Sequence, residues 1–379
     1  MAKFLMVLGL GAFATPEEPS VGVELMMAAE ACLMQTPFMF RPSLDGLRAM
    51  ALMVVAKEVC NPTCWFIDSA WSLLGLLVRM AFTFGLPQQT AEVADAAKRA
   101  SRRRLWLTIL YLDVKMAMST GMPPLTRPDE LDSLDAERDL GEHTSLQRIL
   151  ALSLPSVISV LAQVNSSSTS DSSDATRIPY PDAKTYNDTI RTLLADHAHL
   201  VTDQPLQHAT VDIYLRRCLM VLHRPFALHI DGPTLFPESY WSSLQCSLAV
   251  LMHYRELWMQ TDPATSTWGA ERYDLVGRAW TVDFFSAALQ ASVHVLRKEA
   301  PLAAGGSGGG AGGSGGAGGG SSNANGAAGP EMLPPRQIIL DTLASCVEIW
   351  GGERGKSVCW RTAHSVLSAV LELMPDDDD

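Results

Sequence analysis

Apolar residues recur at helical spacing along most of the chain, and most clearly in residues 71–82. The apolar positions there follow the i, i+3, i+4, i+7 spacing of one helix face. They are Trp71, Leu74, Gly75, Val78, Ala81 and Phe82. Gly85 stands where a helix C-cap glycine is expected, and Pro87 prevents the helix from continuing. The pattern therefore predicts a helix that ends just before Gly85.

A second apolar segment runs from residue 101 to residue 118, and it is apolar on nearly every side. Ser101 is the predicted N-cap, because its side-chain oxygen can accept a hydrogen bond from the first turn. Gly121 and the prolines at 123 and 124 end the segment. A helix with apolar residues all round is buried, so we expect this segment to lie in the core.

Asp113 is a charged residue on this buried helix. A buried carboxylate without a partner is strongly unfavourable, so we predict that Arg79 or one of Arg102, Arg103 and Arg104 pairs with it. The alternative is general acid–base catalysis, which needs a second titratable group. No carboxylate or histidine lies within a helical turn of Asp113, and the pairing role is the one we favour.

The basic run in residues 98–104 allows three interpretations. It could be a nuclear-localisation or nucleic-acid patch, a solvated helix start, or a set of structural pairings. Leu105 and Trp106 follow directly, so at least one arginine must lie against the core. This favours structural pairing.

The rest of the chain repeats the helical pattern and predicts an all-α fold. Residues 4–11, 23–34 and 43–59 read as helices, the third with Ser43 as N-cap, and residues 144–164 as a helix pair broken by Pro155. Further helices are expected at 186–194, 211–222, 241–258, 279–296, 338–350 and 360–374. We predict a large irregular bundle of roughly 12–16 helices with a disordered Gly-rich insertion.

Two low-complexity tracts divide this bundle. Residues 165–178 are rich in serine, and residues 304–330 consist largely of glycine, serine and alanine. Such compositions form flexible linkers. We therefore expect a first helical half at 1–164, a second half at 179–303, and C-terminal helices with an acidic tail at 331–379.

Charge and cysteine content limit the function classes. The formal net charge is −12 and the pI about 5.2, so the chain by itself is repelled by a phosphate backbone. Its seven cysteines are an odd number spread over the whole length, which indicates reduced thiols. Cys60 and Cys64 have no second pair of cysteines with which to complete a four-ligand zinc site. The loop histidines His197, His199 and His208 form only a weak candidate for a metal site. We expect no metal and no cofactor in this chain.

The N-terminus allows two interpretations. Residues 1–14 combine a basic start, an apolar stretch and a small-x-small end, as a secretory signal does. The same residues fit a first core helix, which we favour. Asn165 and Asn187 head Asn-x-Ser/Thr triplets, which would accept glycans in a secreted protein.

The residues between Trp71 and Pro124 resemble the middle homology region of fungal binuclear zinc-cluster transcription factors. The tract at Leu222–Phe226 resembles that family's Leu-His-Arg-Pro-Phe signature. Met122 and Leu107 depart from the pattern, which has an arginine and often an aromatic residue there. The matching positions are Trp71, Gly75, Arg79, Gly85, Arg103, Arg104, Trp106, Asp113, Gly121, Pro123, His223, Arg224 and Pro225. We expect His223 and Arg224 to neutralise the dipole at a helix C-terminus.

This resemblance implies a nuclear, non-enzymatic regulatory domain that controls RNA polymerase II genes with transcription co-regulators, as a homodimer or heterodimer. The family's six-cysteine zinc cluster is absent from this chain. DNA would be reached only through a missing or partner zinc-cluster domain, and zinc would be present only if such a cluster lies upstream. The alternatives are an all-helical enzyme that uses Asp113 with a distant histidine, and a secreted helical protein. In the favoured interpretation we assign no catalytic, cofactor-binding or metal-binding residues.

Overall fold

A computed structural model describes residues 1–13, 19–59, 66–88, 95–131, 145–166, 178–197, 205–259, 277–297, 336–353 and 358–373. Within these ranges all regular secondary structure is helical, which confirms the predicted all-α class. The helices are α1 Ala2–Phe13, α2 Pro19–Met34, α3 Leu44–Val59, α4 Phe66–Thr83, α5 Ala96–Thr120, α6 Ser145–Val164, α7 Tyr180–His197, α8 Pro205–Ala227, α9 Gly232–Leu235, α10 Pro237–Met259, α11 Thr281–Leu296, α12 Arg336–Glu353 and α13 Val358–Glu372, with a 3₁₀ turn at Pro128–Leu131.

One continuous apolar core runs through these helices, with α5 near its middle. Helix α5 contacts α3, α4, α6 and α8, while α10 lies between α8, α11 and α12. The C-terminal pair packs back onto this layer, where Tyr254 of α10 faces Trp350 and Trp360 with ring centroids 5.9 and 6.1 Å apart. The predicted closing helix pair is thus confirmed.

The Gly-rich tract lies outside the described residues, and the domain and linker boundaries stay predictions.

The end of α4 is a Schellman motif built on Gly85. The Gly85 N–H donates to the Phe82 carbonyl at 2.9 Å, and the Leu86 N–H donates to the Ala81 carbonyl at 3.0 Å. Gly85 has a φ of +71°, which a residue with a Cβ rarely adopts. The predicted cap is confirmed. Ser43 also caps α3 as predicted, by accepting the Gly46 N–H at 3.1 Å.

Helix α5 starts earlier than its apolar pattern indicated. Its N-cap is Asp95, whose carboxylate accepts the N–H groups of Ala97 and Lys98, so the prediction of Ser101 as N-cap is wrong. Residues 96–101, which are alanines and polar residues without a large apolar side chain, form a largely solvent-facing first turn and a half. The apolar period begins only at Leu105, where the helix enters the core. The pattern of apolar positions therefore could not predict that the helix starts at residue 96.

Pro155 lies inside α6 without breaking it, so the predicted helix pair is wrong. The proline is exposed, whereas Leu154, Val157 and Ile158 beside it are fully buried. Packing of this buried face keeps the helix continuous although Pro155 has no N–H to donate.

By length and composition Leu146–Val164 could cross a membrane, with a mean hydropathy of 1.4. In this fold it packs against α5, α7 and α8.

Helices α1 and α2 form an antiparallel hairpin at the N-terminus. A Cβ on Gly22 would lie 2.6 Å from the Phe13 nitrogen, and one on Gly9 would lie 2.8 Å from Met26 Cγ. The two glycines therefore allow the helices to approach closely. Met6 of α1 is buried, and α1 also contacts α3. The first segment is a helix of the fold, as the favoured interpretation predicted.

Candidate functional site

The basic run before Trp106 stabilises the end of the preceding helix. The Arg102 guanidinium donates to the Phe84 and Gly85 carbonyls at 3.3 and 2.9 Å, and it lies 4.6 Å from the centroid of the Phe84 ring. These carbonyls are at the C-terminus of α4, where the helix dipole favours a cation. Among the three interpretations of residues 98–104, these contacts support a structural role for Arg102.

Several of the family-pattern residues of α4 and α5 form scaffold contacts. Trp106 is buried and meets the Phe82 ring edge-on at 5.5 Å. The Arg79 guanidinium folds back to the Gly75 carbonyl at 3.1 Å. A Cβ on Gly75 would lie 3.1 Å from that guanidinium, so glycine leaves room for the arginine. Trp71 and Arg104 face solvent, and Arg103 is half-buried.

Asp113 holds the turn that follows α5. The Leu125 N–H donates to both carboxylate oxygens, at 3.1 and 3.0 Å, and the Thr126 N–H donates to Oδ2 at 2.9 Å. Gly121 caps the helix with a φ of +73°, and Pro123 lies exposed in the turn. Burial raises the pKa of Asp113, and the two backbone donors oppose this shift.

The prediction that an arginine pairs with Asp113 is wrong. Arg102, Arg103 and Arg104 precede it by nine to eleven residues on the same helix, which is roughly 14–17 Å along the axis. Arg79 is bound to its own helix. Backbone N–H groups of the following turn take the place of the cation, and a helix pattern gives no information on where such a turn folds back.

Replacing Asp113 by asparagine is expected to lower the free energy of unfolding by about 1–3 kcal/mol, because an amide NH₂ would face backbone N–H donors that lose their acceptor. Asp95→Asn is the matched control on the same helix, since asparagine is as good an N-cap as aspartate. Urea unfolding measures both variants. Equal stability of the two would show that the Asp113 contacts contribute nothing.

A second polar side chain secures the same turn. The Asn165 amide, just after α6, donates to the Ala117 and Met122 carbonyls, both at 3.0 Å. Asn187 is likewise buried and hydrogen-bonded. Because both amides are buried and in use, neither triplet can accept a glycan in the folded chain.

His223 lies in the core of the second half and does not neutralise a helix dipole as predicted. Its Nε2 is 2.9 Å from Asn187 Oδ1 and its Nδ1 is 2.9 Å from Ser239 Oγ, so it joins α7, α8 and α10. Burial and the nearby Arg191 lower its pKa to about 3, so the ring is neutral. Helix α8 continues to Ala227, with Pro225 inside its last turn and Arg224 exposed.

The Ser239–His223 contact has the residue types of a nucleophile and its base. All three members, including Asn187, are at most 3% exposed, so a substrate would have no route to the hydroxyl. A histidine with a pKa of about 3 is also a poor base at neutral pH. The arrangement supports a structural role.

Four charged residues meet where α3, α5, α8 and α11 come together. This buried charge cluster consists of Glu58, Lys115, Arg217 and Asp283. The Lys115 ammonium is 2.5 Å from Glu58 Oε1 and donates to the Ala279 carbonyl at 2.7 Å. The Arg217 guanidinium donates to Asp283 Oδ1 at 3.0 Å, to the Met118 carbonyl at 3.2 Å and to Ser286 Oγ at 2.9 Å. Each charge is thus paired and hydrogen-bonded.

The cluster is electrically neutral, and its members Lys115, Arg217 and Asp283 line a very small cavity. Burial lowers the pKa of Lys115, but Glu58, Tyr111 and Asp283 raise it by more, so the ammonium stays charged. The cavity beside it measures about 10 Å³, with Tyr111, Tyr214 and Trp280 among its walls. That volume holds about one water molecule. In this conformation the cluster joins helices and has no room for an organic ligand.

These four residues were not predicted as a cluster, although the sequence carries a signal for some of them. Lys115 interrupts an apolar helix just as Asp113 does, and Asp283 stands between apolar neighbours on α11, whereas Arg217 follows a second arginine on α8. Which of these charges meet is a long-range property, because Arg217 and Asp283 are 66 residues apart in the chain.

Metal-binding groups are not evident in the part of the chain that the structure describes. No set of three histidine, cysteine or acidic side chains there could hold a metal ion. His208 lies beside His253, with ring centroids 6.0 Å apart. The cysteines Cys32, Cys218, Cys246, Cys346 and Cys359 are free thiols. Cys60, Cys64 and His199 lie outside the described residues.

Comparisons with known proteins give a consistent result. Residues 2–180 match the family model described as fungal specific transcription factor domain. The C6 finger domain transcription factors nscR and hasF of Aspergillus fumigatus are 32% identical over 104 residues and 30% identical over 117 residues. These matches cover 27% and 30% of this chain but only 13% and 14% of the relatives.

A longer match extends into the second half of the chain. Transcription factor opdR of Penicillium oxalicum is 25% identical over 246 residues, which is 56% of this chain and 30% of that protein. This chain therefore spans a minor part of the relatives that it matches. No solved structure matches it.

Proposed function

We propose that this chain, whose residues 2–180 match the fungal specific transcription factor domain, is the regulatory part of a fungal transcription regulator. The domain match carries the proposal. Residues of the family pattern within that match are used for helix capping, turn fixation and core packing, as the contacts of Gly85, Trp106 and Asp113 illustrate. They build a rigid helical scaffold, which suits a domain that transmits a signal through its shape.

In this proposal DNA is contacted by a different module. Relatives of this chain carry the name C6 finger domain transcription factor, and this chain has neither a six-cysteine cluster nor a favourable net charge for DNA. A zinc-cluster domain, in the same protein or in a partner chain, would hold the zinc and the DNA. The present chain would regulate gene expression through contacts with transcription co-regulators.

An enzymatic function has less support. Asp113 accepts hydrogen bonds from the backbone N–H groups of Leu125 and Thr126, and no histidine contributes to its pKa shift. The candidate nucleophile–base pair is enclosed in the core. A secreted protein is disfavoured in the same way, because residues 2–13 form a helix of the fold and the acceptor asparagines Asn165 and Asn187 are buried.

The localisation of the chain tests this proposal. A fluorescent fusion expressed in a fungal host is expected to concentrate in the nucleus, alone or after co-expression of a zinc-cluster partner. A matched fusion that carries Asp113→Asn reports whether the localisation requires the folded scaffold. Exclusion from the nucleus under both conditions would count against a transcriptional role.

A further inference from the structure

Ser101 carries a hydroxyl inside the basic run of residues 98–104. Lys98 and Arg99 stand three and two positions before it, and Arg102 follows it directly. No other serine or threonine in the sequence has basic residues at both of these preceding positions. Protein kinases select their substrates partly by the charge pattern around the target hydroxyl. A kinase whose substrate groove is acidic would accept this segment by charge complementarity.

The Ser101 hydroxyl already faces a cation from another helix. Its Oγ accepts a hydrogen bond from Arg48 Nη2 of α3 at 2.5 Å, although the two residues are 53 positions apart in the chain. The other end of this guanidinium, Nη1, donates to Asp45 Oδ1 at 3.0 Å. Arg48 therefore bridges a carboxylate of α3 and a hydroxyl of α5. A phosphoryl group on Ser101 would lie against Arg48 in the present arrangement of these helices.

Other charges around this hydroxyl also favour an anion. Lys98 and Arg104 stand at i−3 and i+3 from Ser101, and both are exposed. Residues at these spacings are neighbours on a helix surface. Asp45 would repel a phosphate, but its Oδ1 is also bound by Lys3 Nζ at 2.8 Å. The carboxylate therefore keeps a cation when the phosphate attracts Arg48.

The first turn and a half of α5 gives a kinase access to Ser101. Residues 95–99 are exposed, and the helix enters the core only at Leu105. Helix ends open locally at little cost in free energy, and cations near the N-terminus weaken this end further because they oppose the helix dipole. Opening as far as Ser101 breaks the Asp95 cap and the Arg48 hydrogen bond. The apolar contacts that begin at Leu105 are kept.

We propose that Ser101 is phosphorylated by a kinase that selects basic residues before its target, and that Arg48 binds the phosphate. In the transfer, Ser101 Oγ forms a bond to the γ-phosphorus of ATP and the bond from that phosphorus to the β,γ-bridging oxygen breaks. ADP leaves, and the hydroxyl proton passes to the catalytic aspartate of the kinase. The phosphate accepts charge-assisted hydrogen bonds from the guanidinium. An ionic contact thus replaces a neutral one between α3 and α5. The inference does not depend on the proposed transcriptional function.

Phosphorylation of the full chain in vitro tests the site. The probe is the catalytic subunit of cAMP-dependent protein kinase with Mg²⁺ and ATP, and the intact mass is measured. The wild-type chain is expected to gain one phosphoryl group more than Ser101→Ala. Ser159→Ala is the matched control, because Ser159 is also a partly buried helical serine but has no basic residue among the four before it. This variant should be phosphorylated like the wild type.

A thermodynamic cycle tests the role of Arg48. Urea unfolding is measured for wild type and Arg48→Gln, each with and without the phosphate. Phosphorylation should lower the unfolding equilibrium constant of the wild type at least about tenfold more than that of Arg48→Gln, roughly the effect of one hydrogen bond to a charged group. Circular dichroism verifies that each variant is folded.

Two results would overturn the proposal. Wild type and Ser101→Ala that gain the same number of phosphoryl groups, including none, would exclude the modification site. A phosphate whose effect on unfolding is the same with and without the Arg48 guanidinium would exclude Arg48 as its partner.

Discussion

Replacing Lys115 by methionine is expected to destabilise the protein by about 3–5 kcal/mol, the usual cost of removing one partner of a buried ion pair. The Lys115 ammonium is the cation that faces Glu58 between α3 and α5. Burial raises the pKa of the Glu58 carboxyl, and Lys115 opposes this rise. Without the ammonium, Glu58 must stay charged without compensation or take up a proton. Urea unfolding at neutral pH measures the loss.

Two further variants separate the ion pair from simple loss of a lysine. Glu58→Met combined with Lys115→Met replaces both charges by apolar groups of similar volume, and this exchange is often close to neutral. Lys98→Met on the same helix removes a lysine whose side chain is 74% exposed, and should change stability by about 0.5 kcal/mol or less. If Lys115→Met were as mild as Lys98→Met, the buried charge cluster would not hold the fold together.

Acidification from pH 7 to pH 5 is expected to cost about 4 kcal/mol of stability through two buried histidines, at about 1.4 kcal/mol per pH unit for each. Burial, together with Arg191 for His223 and Arg297 for His294, lowers both pKa values to about 3. The unfolded chain binds these protons from about pH 6.5 downward, while the folded chain does not. Stability therefore falls as the pH falls, until the folded histidines titrate near pH 3.

The His223→Gln variant isolates one of these contributions. Glutamine can still donate to Asn187 but does not titrate, so the slope of unfolding free energy against pH should decrease by about 1.4 kcal/mol per pH unit. The difference between wild type and variant removes the contribution of the carboxylates, which both share. An unchanged slope would mean that His223 is already protonated in the folded chain.

The helices were predictable because their signals are local. Gly85 and Ser43 cap their helices through contacts three or four residues away, and the apolar spacing of residues 71–82 is explained by the burial of Leu74, Val78 and Ala81. Pro155 shows where a local rule fails, since packing on the buried face of α6 outweighs one missing hydrogen bond. The start of α5 shows another, because a solvated first turn has no apolar period.

The partners of buried polar residues could not be predicted from spacing. Asp113 was recognised as a charge that needs compensation, but its partners are backbone groups of a turn twelve residues on. Lys115 and Arg217 are compensated from helices that are far away in sequence. Burial of a charge can therefore be inferred from the sequence, whereas the identity of its partner depends on the tertiary fold.

The buried charge cluster also shows how the matched domain relates to the rest of the chain. Glu58 and Lys115 lie within residues 2–180, and Arg217 and Asp283 lie beyond them. Because Arg217 reaches the Met118 carbonyl of α5, the two parts share one buried polar network. The two parts are therefore joined by buried polar contacts as well as by the apolar core.

Recruitment of the chain to a promoter tests the proposed function most directly. The chain is fused to a heterologous DNA-binding domain in a fungal host, and a reporter with the matching sites and moderate basal expression is measured. We predict that reporter expression rises or falls relative to the DNA-binding domain alone, and that Lys115→Met removes this effect. Expression equal to that of the DNA-binding domain alone, with the wild-type fusion nuclear and equally abundant, would contradict the assignment as a transcription regulator.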